Sequence, residues 1–127
     1  MWQGEIMQST DRLFIGAGIV AGIAGMVLGI VMGISGDFTL APAHAHINLV
    51  GWASLSLFGL AYRAGIAKND RWAVVHFWIA VAGALILPLG IVLAITKGQP
   101  AVAIGGSLLT LASMLMFGIN FLRARAA

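Results

Sequence analysis

Four runs of apolar residues, at about 13–34, 43–62, 72–95 and 101–122, take up most of this 127-residue chain. Each is close to the roughly 20 residues that carry an α-helix across a hydrocarbon core. A helix satisfies every backbone N–H and C=O within one segment, which lipid demands and an open strand cannot do. The runs therefore predict an all-α fold: an integral membrane four-helix bundle, forming one transmembrane domain over 1–127 with very short connections. A composition of 61% apolar and 9% charged residues points the same way. The first run is too long for a signal-peptide core of about 7–15 residues, and Asp11 offsets Arg12 ahead of it, so it is predicted to be retained.

Charge distribution sets the topology. With loops assigned alternately to two sides, Arg12, Arg63, Lys68, Arg71, Arg123 and Arg125 share one side, and Lys97 stands on the other with Asp37. The positive-inside rule then puts both termini in the cytoplasm, in a multi-pass protein expected in a bacterial inner membrane. The net charge of +3 is accounted for by these topology signals and forms no nucleic-acid-binding face. The lack of cysteine excludes disulfides, iron–sulfur clusters, thiolate zinc sites and covalent haem attachment.

Most remaining features read as packing. Gly18, Gly22, Gly25, Gly29 and Gly33 form one small-residue stripe, the pattern that lets helix backbones approach closely in lipid. Pro88 predicts a kink or local unwinding in the third helix. Tyr62, Trp72 and Trp78 are expected in an interfacial aromatic belt. Ser107, Thr110, Ser113 and Asn120 are expected to hydrogen-bond between helices or to their own backbone. Glycine-rich faces leave room for neighbouring copies, so a homo-oligomer is expected.

The exception is Ala43-His44-Ala45-His46-Ile47-Asn48, at the outer mouth of the second helix. Ligating side chains in a membrane helix are usually functional. Pro42 suits the first helical position, where its missing N–H has no partner to lose. Residues two apart on a helix point about 200° away from one another, so His44 and His46 do not converge on one ion. That spacing disfavours a mononuclear zinc or copper site, which needs several convergent ligands, and suits haem, which needs one or two axial imidazoles. Asn48 and Trp52 follow His44 at intervals of four and share its face. The plainer reading makes both histidines hydrated interfacial residues. His76, alone near the cytoplasmic end of the third helix, reads as structural.

Ala43-His44-Ala45-His46, then Gly51 and Phe58-Gly59, then Trp72-Ala73-Val74-Val75-His76-Phe77-Trp78, resemble part of haem–copper oxidase subunit I. The likeness covers about a third of the chain, roughly 43–83. It implies that the first histidine of the pair ligates a high-spin haem and the second a low-spin haem. It also implies a twelve-helix architecture in three arcs of four, so that three copies of this chain would imitate the whole subunit. Haem b would then be held non-covalently between copies, by His46 of one and His44 of its neighbour, with Asn48 and Trp52 in the pocket. The family's copper centre requires an adjacent histidine pair that this chain lacks.

The expectation is thus a homotrimeric haem b protein for electron transfer, or for redox or haem sensing, working with a redox partner or quinone in the bilayer. It is not expected to be an enzyme. The alternatives are a Cu or Zn site between subunits, or a non-catalytic assembly subunit of a respiratory complex.

Overall fold

The computed structural model describes residues 2–125, with side chains from residue 9 onward, and every element in it is helical. Helix α1 is Trp2–Ser35; a second rod over 41–63 joins α2 (Ala41–His46), a π-helical segment (Ile47–Ala53) and α3 (Ser54–Arg63); α4 is Arg71–Lys97 and α5 is Ala101–Arg125. Three stretches, Ser9–Ser35, Arg71–Lys97 and Ala101–Arg125, are long and apolar enough to cross a membrane. The second rod keeps right-handed helical dihedrals at both internal junctions, so it is one continuous helix with a widened middle.

Local chemistry fixes the ends. Pro42 lies in the first turn of α2. The Asp70 carboxylate caps α4 by accepting the Trp72 N–H at 3.0 Å, satisfying a donor that helix geometry leaves unpaired. Gly98 stops the same helix in the left-handed region at φ 64°, where a Cβ would be strained.

The two helix pairs use glycine differently. Between α4 and α5, Gly90 abuts the Ala103 backbone, Gly106 the Leu87 backbone and Gly83 the Thr110 side chain and backbone, so two backbones meet directly. Between α1 and the second rod, the glycines receive side chains. Gly18, Gly22, Gly25 and Gly29 face Ser56, Trp52, Asn48 and His44 in turn. Four of the stripe's five glycines are therefore covered from within the chain, and Gly33 has nothing within 4 Å of a Cβ position.

This ladder explains the π segment. From Gly18 to Gly29 is 11 residues on α1, whereas His44 to Ser56 is 12 residues on the antiparallel rod (29 − 18 against 56 − 44). An ideal α-helix overshoots by about 40° at each step of four, which would carry Ser56 well off the glycine line. A turn bonded i→i+5 absorbs one extra residue and restores the register. The Ser54 hydroxyl donates to the Leu49 carbonyl at 2.7 Å inside this widened turn. Of the kink or local unwinding expected at Pro88, no unwinding is seen: α4 is uninterrupted helix through it. Register matching, not proline, sets the π-helical segment among the described helices.

Six of the seven Lys and Arg residues gather at one end, as their order implies, with Lys97 at the far end of α4. Arg63 pairs with Asp11 at 3.0 Å and Arg123 with Asp70 at 2.6 Å. The Lys68 N–H donates to the Asn120 carbonyl at 2.9 Å, tying the 64–70 loop to α5. Above this end lies the core, built on Phe14, Leu55, Phe58, Tyr62 and Phe77. Trp72 and Trp78 are exposed, as an aromatic belt requires, but Tyr62 is not: at 3% exposure it belongs to the core. The reason is that its hydroxyl has buried partners.

Candidate functional site

The three histidines fall into two settings. His44 and His46 stand at the start of the second rod, and His76 lies within α4 near the cation-rich end.

At the first setting, the helix sends the two imidazoles apart as their spacing requires. His44 lies against α1, its Cε1 2.9 Å from where a Gly29 Cβ would be. Asn48 follows on the same face, and its amide nitrogen donates to the His44 carbonyl at 3.1 Å. The same nitrogen is 3.4 Å from Nδ1 and 3.3 Å from Nε2 of the His44 ring, too long and too evenly shared to occupy either firmly. Trp52 continues the row over Gly22 and remains 41% exposed. The structure thus brings His44, Asn48 and Trp52 onto one face and leaves His46 off it.

His46 has a more definite arrangement. Its Nδ1 is 2.8 Å from the Pro42 carbonyl oxygen. A carbonyl only accepts, so Nδ1 carries the proton and the neutral ring keeps its lone pair on Nε2. A ligating histidine is typically oriented this way, one ring N–H held by a backbone carbonyl and the other nitrogen presented to iron or zinc. The ring is partly exposed beside Pro42, Ala45 and Leu49, all outward-facing. The two rings therefore differ in setting: His44 packs against this chain's own α1, and His46 is partly exposed off that face. Among the described residues, no group of three or more His, Cys, Asp or Glu converges as a metal site within the single chain.

At the second setting both ring nitrogens are engaged. His76 is fully buried, with Tyr62 Oη 2.8 Å from Nδ1 and Ser113 Oγ 3.0 Å from Nε2. Asn120 Nδ2 donates to Tyr62 Oη at 2.8 Å, so the phenol gives its own proton to Nδ1. The ring is then the Nε2–H tautomer and donates onward to Ser113. Arg123 donates to Asn120 Oδ1 at 3.1 Å and also pairs with Asp70. All donors in this row run one way, from Arg123 at the surface to Ser113 in the core, an arrangement in which each bond polarises the next. Phe14 and Phe58 close over the ring at centroid distances of 5.0 and 4.7 Å. No lone pair of His76 remains for a ligand, in agreement with its structural reading.

Sequence reasoning treated Tyr62 and Asn120 separately and missed their link to His76. A signal was present: Tyr62 directly precedes Arg63, His76 follows Arg71 by five residues, and Asn120 precedes Arg123 by three. Counting from the charged ends puts all of them at similar depth.

The fold and its polar clusters define an all-α protein consistent with a multi-pass membrane protein. Comparison with known families, curated proteins and solved structures finds no match to this chain.

Proposed function

We propose that this chain is a membrane haem b protein in which His46 of one copy and His44 of a neighbour hold the iron, in a homotrimer that resembles haem–copper oxidase subunit I without its copper site. The observation carrying this reading is the His46 ring, partly exposed and hydrogen-bonded through Nδ1 to the Pro42 carbonyl, which leaves Nε2 as the nitrogen to offer a ligand. A neutral imidazole on an apolar outer face gains little from lipid and much from a ligand or partner. His44, steadied by Asn48 and set against Gly29, supplies the second imidazole. Trp52 adds an apolar wall on that side.

When bound, bis-imidazole haem supplies reversible one-electron exchange at iron. The chain's residues would orient the two rings, the Pro42 carbonyl holding the Nδ1–H of His46, and keep the surroundings apolar. Held by two imidazoles, the haem would serve electron transfer, or redox or haem sensing, with a quinone or redox protein as its exchange partner. The gathering of cations at one end supports cytoplasmic termini in a bacterial inner membrane, with the His44 and His46 end outward.

The test is an absorption spectrum of detergent-purified protein, oxidised and then dithionite-reduced, alongside His44→Ala and His46→Ala. A Soret peak with sharp reduced α and β bands, lost in both variants, is the expected result. No haem absorption even after reconstitution with hemin, together with bound Cu or Zn by elemental analysis, would replace this reading with an inter-subunit metal site.

A further inference from the structure

A groove of 430 Å³ opens on the outside of the bundle at the cation-rich end, lined by Asp11, Arg12, Ile15, Gly16, Ile19 and Arg63. Its two ends differ in chemistry. At the mouth, Arg12 is exposed, and the Arg63 side chain is 68% exposed even though one of its nitrogens meets Asp11. The Asp11 side chain is only 5% exposed and is satisfied from within the chain, by Arg63 and by the Arg12 backbone N–H at 2.8 Å. A ligand at the mouth therefore meets two guanidinium groups and one carboxylate that is already paired within the chain, a local balance of +1. Down the groove the walls are Ile15 and Ile19, with Gly16 as a notch that has nothing within 4 Å of a Cβ position.

We propose that this groove binds an anionic phospholipid, its phosphate against Arg12 and Arg63 and an acyl chain along Ile15, Gly16 and Ile19. Three features select a lipid over a free anion. The guanidiniums lie at the end of a membrane-length apolar stretch, which begins at Ser9, where a phosphate layer is found. The floor below them is apolar and continuous with the lipid-facing surface of α1. Arginine forks bind phosphate oxygens bidentately, and basic clefts at this membrane face are suited to acidic headgroups. The inference is independent of haem binding.

Native mass spectrometry of the full chain tests it, with phosphatidylglycerol or phosphatidylcholine added to the detergent solution. Two variants leave the protein's own packing untouched. Arg12→Gln removes an exposed cation, and Gly16→Leu puts an apolar side chain into the notch from a Cβ position with nothing within 4 Å. The expected result is preferential retention of phosphatidylglycerol, weakened about fivefold by Arg12→Gln, the effect of one cation at a membrane surface. Gly16→Leu is expected to weaken both lipids' retention at this site, with helical content unchanged. Equal retention of the two lipids, or wild-type retention in both variants, overturns the proposal. Full competition by inorganic phosphate would make the site one for a free anion, and a changed oligomeric state in Gly16→Leu would make the groove a subunit interface; either result also overturns it.

Discussion

His76 hydrogen-bonds through both ring nitrogens inside an aromatic shell, whereas His46, toward the other end of the second rod, is partly exposed and hydrogen-bonds through Nδ1 to its own backbone. The two rings share a chemistry and differ in what remains unsatisfied. Burial without free valence makes His76 a joint between α3, α4 and α5. Partial exposure and one backbone hydrogen bond leave His46 without a comparable role in packing.

The sharpest way to break this comparison is to truncate both. His76→Ala leaves Tyr62 and Ser113 without partners and opens a cavity under Phe14 and Phe58, a loss of about 3–5 kcal/mol from the combined effects. Thermal unfolding followed by circular dichroism in detergent should show a large drop in midpoint. His46→Ala should leave the haem-free protein within about 0.5 kcal/mol of wild type, as for other exposed sites. Comparable losses in the two variants would mean that His46 is also a structural residue.

Tyr62→Phe probes the same joint more gently. It removes one oxygen while keeping the ring against Phe14, where the centroids are 5.5 Å apart. Asn120 Nδ2 and His76 Nδ1 both lose their partner, so about 2–3 kcal/mol should be lost in the same assay. An unchanged midpoint would show that the polar row does not join the helices. A tyrosine anchored in the headgroup region would tolerate this change, so the experiment also separates the core role from the belt role.

The glycine ladder sharpens the other half. A Cβ at Gly25 would land on the Asn48 side chain, whereas one at Gly33 would meet nothing. Gly25→Val should destabilise by about 2 kcal/mol through overpacking and disturb the His44 face, with Gly33→Val close to neutral. If Gly33→Val is the more damaging, the stripe packs against a second copy rather than against this chain's own second rod.

Four helices, their connections and the single-ended distribution of cations were legible because hydrophobic length and charge order are properties of the chain read in sequence. So was the shared face of His44, Asn48 and Trp52, since a spacing of four survives any helical geometry near 3.6 residues per turn. The π segment was not, because it arises from a mismatch between two helices: the glycine spacing on α1 and the polar spacing on the second rod become informative only when laid side by side. Pro88 drew attention as the local breaker, yet its helix is uninterrupted. The His76 row was hidden for a similar reason. Its bonds join residues 14, 37 and 58 positions apart, and each member viewed alone has an ordinary use in a membrane helix.

The smallest effect concerns the outer end of that row, where Asp70 receives Arg123 and caps α4. Partial burial alone would raise the Asp70 pKa; the hydrogen bond from Arg123, the Trp72 N–H and nearby positive charge outweigh it and hold the carboxyl below its ordinary value. A carboxyl depressed in the folded state contributes stability that is present above its unfolded value of about 3.9 and is lost as pH falls through the folded value. Asp70→Asn keeps a capping oxygen but removes the charge, so it should cost about 1 kcal/mol at neutral pH, the scale of a partly exposed ion pair. Its difference from wild type should shrink as the pH is taken below about 4, where wild-type Asp70 also becomes neutral. Unfolding midpoints of the two proteins between pH 7 and the lowest pH that detergent allows provide the check. A difference that persists undiminished in acid would assign the Asp70 contribution to geometry at the cap, leaving Arg123 held by Asn120 alone.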